Sequence, residues 1–107
     1  MSSVFEMKPG DRKRALKVET SDYEIGGAKF AGASVRFRMM DQRGVIAIDG
    51  VGTVLDDDGI LGYAWGAGET DAAGLYRAEF VVTFTDGLED TYPSSGFVAV
   101  HINQEVP

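Results

Sequence analysis

The sequence predicts an all-β protein, a sandwich of seven to nine short antiparallel strands, and three observations lead to this prediction. Apolar and polar residues alternate with a period of two in several segments, most clearly at 75–85. This period sends successive side chains to opposite faces of a strand. The alternating segments recur roughly every 8–12 residues between clusters of glycine, aspartate and proline. No segment has a helical period of useful length.

Three strands are predicted in the first part of the chain, at 3–8, 14–20 and 33–40. Pro-Gly-Asp follows the first strand, and a loop with several glycines separates the second from the third. In the third strand apolar residues alternate with arginines, so one row faces a core and the other faces solvent. The residues predicted to face the core are Val35, Phe37 and Met39, and those predicted to face solvent are Arg36 and Arg38.

Three shorter strands are predicted next, at 45–49, 51–56 and 60–65. An Asp-Asp-Gly sequence between the last two is typical of a tight turn, because aspartate and glycine tolerate the backbone angles that turns require.

The longest predicted strand, 75–85, is followed by shorter ones at 88–92 and 97–103. Asp86-Gly87 predicts a two-residue type I′ hairpin between the first two of these strands. Pro93 has no N–H to donate, so "PSSG" (93–96) breaks the ladder between the last two predicted strands. The apolar residues predicted to share one core are Phe37, Tyr63, Trp65, Phe80, Val82 and Phe84.

The overall composition is that of a single soluble domain, residues 1–107. Apolar residues make up 44% and charged residues 25% of the chain, which is ordinary for a globular protein. There is no cysteine, which excludes disulfides and thiolate metal sites and fits a reducing cytoplasm. The start "MSSVFEMKPGDRKR" predicts no signal peptide. No apolar run approaches the roughly 20 residues that span a bilayer, so no membrane partner is expected.

The net charge of −7 is unevenly distributed along the chain. Through Arg38 there are eight basic and five acidic residues, and from Met39 onward two basic and twelve acidic. An acidic surface repels nucleic acid, and the basic stretch at 11–14 is short and lacks aromatic partners. We therefore expect no nucleic-acid partner. The net negative charge is typical of a soluble protein surface. Its uneven distribution is also compatible with a role in orienting neighbouring proteins.

Tyr76 stands at the start of the long strand, after the acidic and glycine-rich segment "GETDAAG". In immunoglobulin-like domains a tyrosine at this place donates its hydroxyl to the preceding backbone, where the chain crosses between sheets. The pattern therefore predicts an immunoglobulin-like sandwich with a tyrosine corner, the alternative being an ordinary core tyrosine. Ala78 stands where antibody domains have their second cysteine, and Trp65 lies late in the chain. The domain is therefore not of the antibody type.

A closer resemblance extends over nearly the whole chain. The segments that carry it are "FEMKPGDRKRALKV", "GASVRFRMMD", "GTVLDDDGILGYAWGAGETDAAGLYRAEFVVTFTDG" and "TYPSSGFVAVHI". Within them, the order of seven short motifs resembles that of the immunoglobulin-like N-terminal domain of phage baseplate upper proteins. These motifs are Tyr63-x-Trp65, Gly68-Glu69-Thr70, Gly74-x-Tyr76, Ala78-Glu79-Phe80, Asp86-Gly87, Tyr92-Pro93 and Gly96.

This resemblance implies a structural module of a phage virion, in the tail or baseplate, that is made in the bacterial host cytoplasm and docks other phage structural proteins. Members of that family continue into longer C-terminal regions that contact receptor-binding proteins. The chain ends at Pro107, so we expect the docking module alone. A homo-oligomer is also compatible with this role.

The sequence carries no recognisable catalytic or cofactor motif, so we expect neither an enzyme nor a cofactor. His101 is the one imidazole, and its place on the last strand indicates a partly covered strand residue rather than a catalytic base. Glycine pairs at 50–52 and 66–68 lack the third glycine and helix of a dinucleotide site. The Asp56-Asp57-Asp58 run, with Glu69 and Asp71 as further oxygen donors, raises a calcium site, but consecutive aspartates converge poorly and a solvated turn is expected.

Two other expectations concern binding surfaces. A carbohydrate- or cell-surface-binding sandwich is the alternative function, and it requires exposed aromatic residues; the candidates are Tyr23, Phe30 and Tyr92. For the docking function, the first strand and the "TYPSSG" break are the expected sheet edges, since both are short or interrupted. Met40 and Val81 fall on the outward phase of their strands and predict an exposed apolar patch on one sheet.

Overall fold

A computed structural model of the chain describes residues 4–20, 30–56, 59–93 and 96–104. These residues form nine strands and no helix. The strands are β1 (Val4–Met7), β2 (Leu16–Glu19), β3 (Ser34–Asp41), β4 (Ile46–Val51), β5 (Thr53–Asp56), β6 (Ile60–Tyr63), β7 (Gly74–Thr83), β8 (Glu89–Tyr92) and β9 (Val98–Ile102).

The strands form two sheets that pack as a sandwich. The larger sheet has the order β1-β9-β7-β3-β4, with β8 also paired to β7, and the smaller has the order β2-β6-β5. All pairings are antiparallel except that of β1 with β9, which is parallel. The predicted all-β, immunoglobulin-like sandwich is confirmed, with this one parallel pair as an exception to the antiparallel prediction.

Strand β7 organises the larger sheet. Along one side it pairs with the whole of β3, from Tyr76 opposite Asp41 to Thr83 opposite Ser34. Along the other side its first half pairs with β9 and its second half with β8. Pro93, which follows Tyr92 through a cis peptide bond, lies at the step from β8 to β9. The interruption predicted at this proline is confirmed.

The core between the sheets is centred on Phe37, which is fully buried. Its ring stacks on Tyr63 with centroids 4.1 Å apart and meets Phe80 at 5.1 Å and the edge of Trp65 at 5.9 Å. Five of the six predicted core residues are buried, and Phe84 is half-buried against the same cluster. The predicted faces of β3 and β7 are therefore confirmed.

The tyrosine corner is also confirmed. The chain leaves β6 in the smaller sheet and enters β7 in the larger one, and Tyr76 lies at this crossing. Its hydroxyl donates a hydrogen bond to the backbone carbonyl of Ala72 at 2.8 Å. Ala78, at the place of the antibody cysteine, is buried.

The predicted type I′ turn at Asp86-Gly87 is wrong. The Gly87 N–H donates to the Phe84 carbonyl at 2.9 Å, and the Phe84 N–H donates to the Leu88 carbonyl at 2.8 Å. The loop thus has three residues, with Gly87 at φ 87° in the left-handed region. Three-residue hairpin loops use a glycine in this way after an ordinary turn, so the same two residues serve either loop length.

Candidate docking face

The larger sheet has one face turned away from the smaller sheet, and we call it the outer face. Side chains on β3, β4, β7 and β9 reach it from the strand positions that alternate with the buried ones. It carries several large apolar side chains that are substantially exposed: Val4, Ile46, Val51, Leu75 and Phe97. Single exposed apolar residues are ordinary, but several on one sheet face are typical of an interaction surface.

A groove near the middle of the outer face brings arginines and apolar side chains together. We call it the arginine groove; its volume is about 250 Å³ and its principal side chains are Arg38, Met40, Ile46, Arg77, Glu79 and Phe97. The strand register produces this grouping, because Met40 lies opposite both Arg77 of β7 and Ile46 of β4. Sequence alternation indicated the outward phase of each residue, but not which of them are neighbours across strands.

Arg77 lies between the two apolar sides of the groove. Its guanidinium carbon is 5.7 Å from the centroid of the Phe97 ring, within the range of a cation–π interaction. Its Nη2 is 3.6 Å from the Met40 sulfur. Glu79 lies opposite Arg38 in the register. Neither groove arginine forms a salt bridge with any residue the structure describes, and Arg38 lies between Asp49 and Glu79 in the strand register.

The third arginine of the outer face is neutralised within the molecule. The Arg36 Nε is 2.6 Å from Asp49 Oδ1, and this hydrogen bond holds the pKa of the Asp49 carboxyl below its usual value. The available positive charge of the face is therefore concentrated in the arginine groove, in a chain whose net charge is −7.

The predicted patch residues Met40 and Val81 do lie on the larger sheet, at outward positions of β3 and β7. Both are half-buried rather than fully exposed. Met40 is partly covered because Arg77 crosses it. The patch is larger than the two residues indicated, since Ile46 and Phe97 extend it on either side.

The edge predictions are confirmed for β1, which is the last strand on its side of the larger sheet. Strand β8, which leads into the "TYPSSG" break, pairs only with β7 and is a second edge. Sequence reasoning missed β4, which ends the larger sheet on the other side and is longer, at six residues. A glycine inside β4 weakened its strand signal, and its position in the sheet depends on long-range pairing.

Histidine 101 is a half-exposed residue of β9, as its sequence position indicated. Its Nδ1 lies 3.8 Å from Glu6 Oε1 on β1, the neighbouring edge strand. The strand register places Leu75 on its other side. This arrangement is a contact between surface side chains of adjacent strands.

Glu69 and Asp71 are the candidate calcium ligands whose side chains the structure describes. Asp57 and Asp58 lie outside the described residues, and within those residues no three histidine, aspartate or glutamate side chains are grouped to hold a metal ion. The Glu69 carboxylate is instead a structural acceptor. It receives the Tyr63 hydroxyl at 2.7 and 2.9 Å and the Gly66 N–H at 2.6 Å.

This contact changes the acidity of Tyr63. Burial raises the pKa of the Tyr63 phenol, and its hydrogen bond to the Glu69 carboxylate raises it further. The neutral hydroxyl therefore persists to high pH, and it ties the end of β6 to the loop that leads to the tyrosine corner.

Two of the three aromatic residues proposed for a carbohydrate-binding surface are buried. Phe30 and Tyr92 are buried, at 1% and 4% exposure, and pack edge to face with centroids 5.6 Å apart. Both residues form a second aromatic group with Phe84 at one end of the core. Tyr23 lies outside the described residues.

Comparison with known proteins supports the fold. CopC from Methylosinus trichosporium OB3b has a crystal structure that resembles this chain with a TM-score of 0.58 and 18% sequence identity, over 99% of this chain and 89% of that one. At this identity the similarity concerns the fold alone. No protein-family model and no curated protein sequence matches the chain. Over its described residues, the protein has no helix of the length and hydrophobicity that crossing a membrane requires.

Proposed function

We propose that this chain is a non-enzymatic docking module of a phage or prophage virion, in the tail or baseplate, that binds other structural proteins through its outer face. The observation that carries the docking role is the arginine groove, where two arginines without salt-bridge partners lie between exposed apolar side chains. The virion setting rests on the resemblance of the sequence to phage baseplate upper proteins.

The composition of the groove supports a protein partner. Arginine, methionine and aromatic residues are enriched at protein interfaces, where arginine combines apolar contact area with several hydrogen-bond donors. In Arg77 the guanidinium already packs on Phe97 and Met40, so little side-chain freedom remains to be lost on binding. An acidic partner surface with apolar residues is the complement of such a groove.

The test is co-purification with the products of the neighbouring genes. The variant Arg38→Glu/Arg77→Glu reverses both groove charges, and Lys13→Glu/Lys17→Glu makes the same change in net charge at exposed residues away from the outer face. We expect the wild type and the lysine variant to retain a virion protein, and the groove variant to bind it at least roughly tenfold more weakly. Arg38→Gln/Arg77→Gln is the milder second variant.

Equal retention by all of these variants would contradict the docking role of the outer face. The thermal unfolding midpoint of each variant is measured first, so that a loss of binding is assigned only to folded protein.

A further inference from the structure

The hairpin between β7 and β8 carries acidic and apolar side chains, which complement the arginines and apolar side chains of the arginine groove. We call residues 85–91 the acidic hairpin; all of them are exposed, and they include Asp86, Glu89 and Asp90. Leu88 is 68% exposed among these acids. An apolar side chain surrounded by carboxylates complements a groove in which arginines lie among apolar side chains.

The acidic hairpin is held in one conformation. Its two ends are joined by the Phe84 N–H to the Leu88 carbonyl, and the Leu88 N–H donates to Asp86 Oδ1 at 3.0 Å. Below the hairpin, Phe84 stacks on the buried Phe30 with ring centroids 6.0 Å apart. Leu88 is thus presented by an ordered loop, and the entropy lost on docking is small.

The hairpin cannot reach the groove of its own molecule. Both belong to the larger sheet, but the groove lies where Glu79 pairs with Arg38, whereas Glu89 pairs with Thr83 and Leu88 lies beyond that pair. Glu79 and Thr83 are four positions apart on β7, a distance of about 13 Å along a regular strand. The two complementary surfaces therefore have to meet between molecules.

We infer that the acidic hairpin of one copy docks into the arginine groove of a second copy. In this contact Leu88 packs between Ile46 and Phe97, and the carboxylate of Glu89, which lies beside Thr83 on the outward row, pairs with Arg38 and Arg77. This inference deepens the proposed function and rests on it only for the virion setting, since the contact itself requires no other protein.

The contact is heterologous, because hairpin and groove are different surfaces of the chain. A second molecule that donates its hairpin still has a free groove, and repetition gives a ring if the rotation closes or a filament if it does not. One hairpin in one groove is a small interface, and copies of net charge −7 repel one another at longer range. Association is therefore weak in solution and depends on the local charge pairs.

The experiment is sedimentation velocity on the full chain, from roughly 10 µM to 1 mM, a range that covers weak dissociation constants. One variant, Arg38→Glu/Arg77→Glu, reverses the charge of the groove. A second, Leu88→Ser/Glu89→Lys/Asp90→Lys, removes the apolar side chain of the hairpin and reverses its charge. The variants Lys13→Glu/Lys17→Glu and Glu19→Lys/Asp71→Lys are matched controls, because they change the charge of exposed residues elsewhere.

We expect the wild type to associate with rising concentration, with at least tenfold weaker association in 1 M salt than in 0.1 M, since screening shortens from about 10 Å to about 3 Å. Each disabled variant alone stays monomeric, and both controls associate like the wild type. An equimolar mixture of the two disabled variants recovers a complex, because the intact hairpin of one variant meets the intact groove of the other.

Two results would overturn the inference: a wild type that is monomeric throughout, or disabled variants that fail to pair when mixed. Failure of the proposed virion docking would give a different set of results from failure of the contact between copies. A monomeric chain that still binds a neighbouring virion protein through its groove refutes only the contact between copies. A chain that self-associates through hairpin and groove but binds no virion protein refutes only the proposed virion docking.

Discussion

Tyr76 shows how a single hydroxyl fixes the crossing between the two sheets. Its hydrogen bond to the Ala72 carbonyl joins the start of β7 to the loop before it. We expect Tyr76→Phe, which keeps the ring, to lower the free energy of unfolding by about 1 kcal/mol, as is usual for one hydrogen bond. Urea denaturation measures the change, and an unaltered midpoint would mean that the ring alone fixes the corner.

Tyr63 gives a prediction about pH. A tyrosine in an unfolded chain loses its proton near pH 10, as an approximate reference value. In the folded protein the raised pKa keeps the proton on Tyr63 to higher pH. Above about pH 10 the folded state therefore binds more protons than the unfolded state, and the free energy of unfolding falls as the pH rises.

The measurement is denaturation at several pH values with Tyr63→Phe as the comparison. The variant loses roughly 1–3 kcal/mol at neutral pH, because a partner of Glu69 is removed, and its stability declines less between about pH 10 and 12. Parallel pH profiles for the two proteins would show that Tyr63 does not titrate as described.

At the level of elements, β7 carries the core on one face and the proposed docking surface on the other. Phe80 is fully buried against Phe37, whereas Thr83 lies on the outward row. We expect Phe80→Ala to cost about 3–5 kcal/mol of stability, a large part of what a small domain has. Thr83→Ala, on the same strand, stays within about 0.5 kcal/mol. Comparable losses for the two variants would contradict this division of faces.

The sequence predicted the faces of the strands better than their neighbours. Alternation alone identified Phe37 and Phe80 as core residues and Arg38 as an outward residue, because side-chain direction is a local property of a strand. The meeting of Arg77 with Met40 and Phe97 depends on register and strand order, which local patterns do not contain. The position of the hairpin at Gly87 was predicted correctly, but its loop length was not. An Asp-Gly pair occurs in loops of two residues and of three, so these residues alone do not determine the hydrogen-bond pattern.

Buried aromatic residues beside turns were the other source of error. Phe30 and Tyr92 are two of the three candidates for an exposed aromatic surface, and both are buried. The sandwich places both over the end of its core, where they pack with Phe84. Their burial leaves Tyr23, which lies outside the described residues, as the remaining candidate for that surface.

For the molecule as a whole, the sandwich divides its surface into two unlike sheets. The larger sheet bears the arginine groove and, at one end, the acidic hairpin, so complementary charges lie on one elongated body of about 48 × 23 × 21 Å. The smaller sheet has three strands of four residues each. A module that docks other proteins would use the larger sheet, and charge reversal at Arg38 and Arg77 would abolish that use without unfolding the domain.

The most direct test of this account is to map the bound surface by NMR. Backbone amide signals of the labelled chain are followed while a captured virion protein is added. The account predicts that the signals that shift or broaden come from β3, β4, β7 and the start of β9, around the arginine groove, and that those of β2, β5 and β6 stay unchanged. Changes confined to the smaller sheet would contradict the central claim that the outer face is the docking surface.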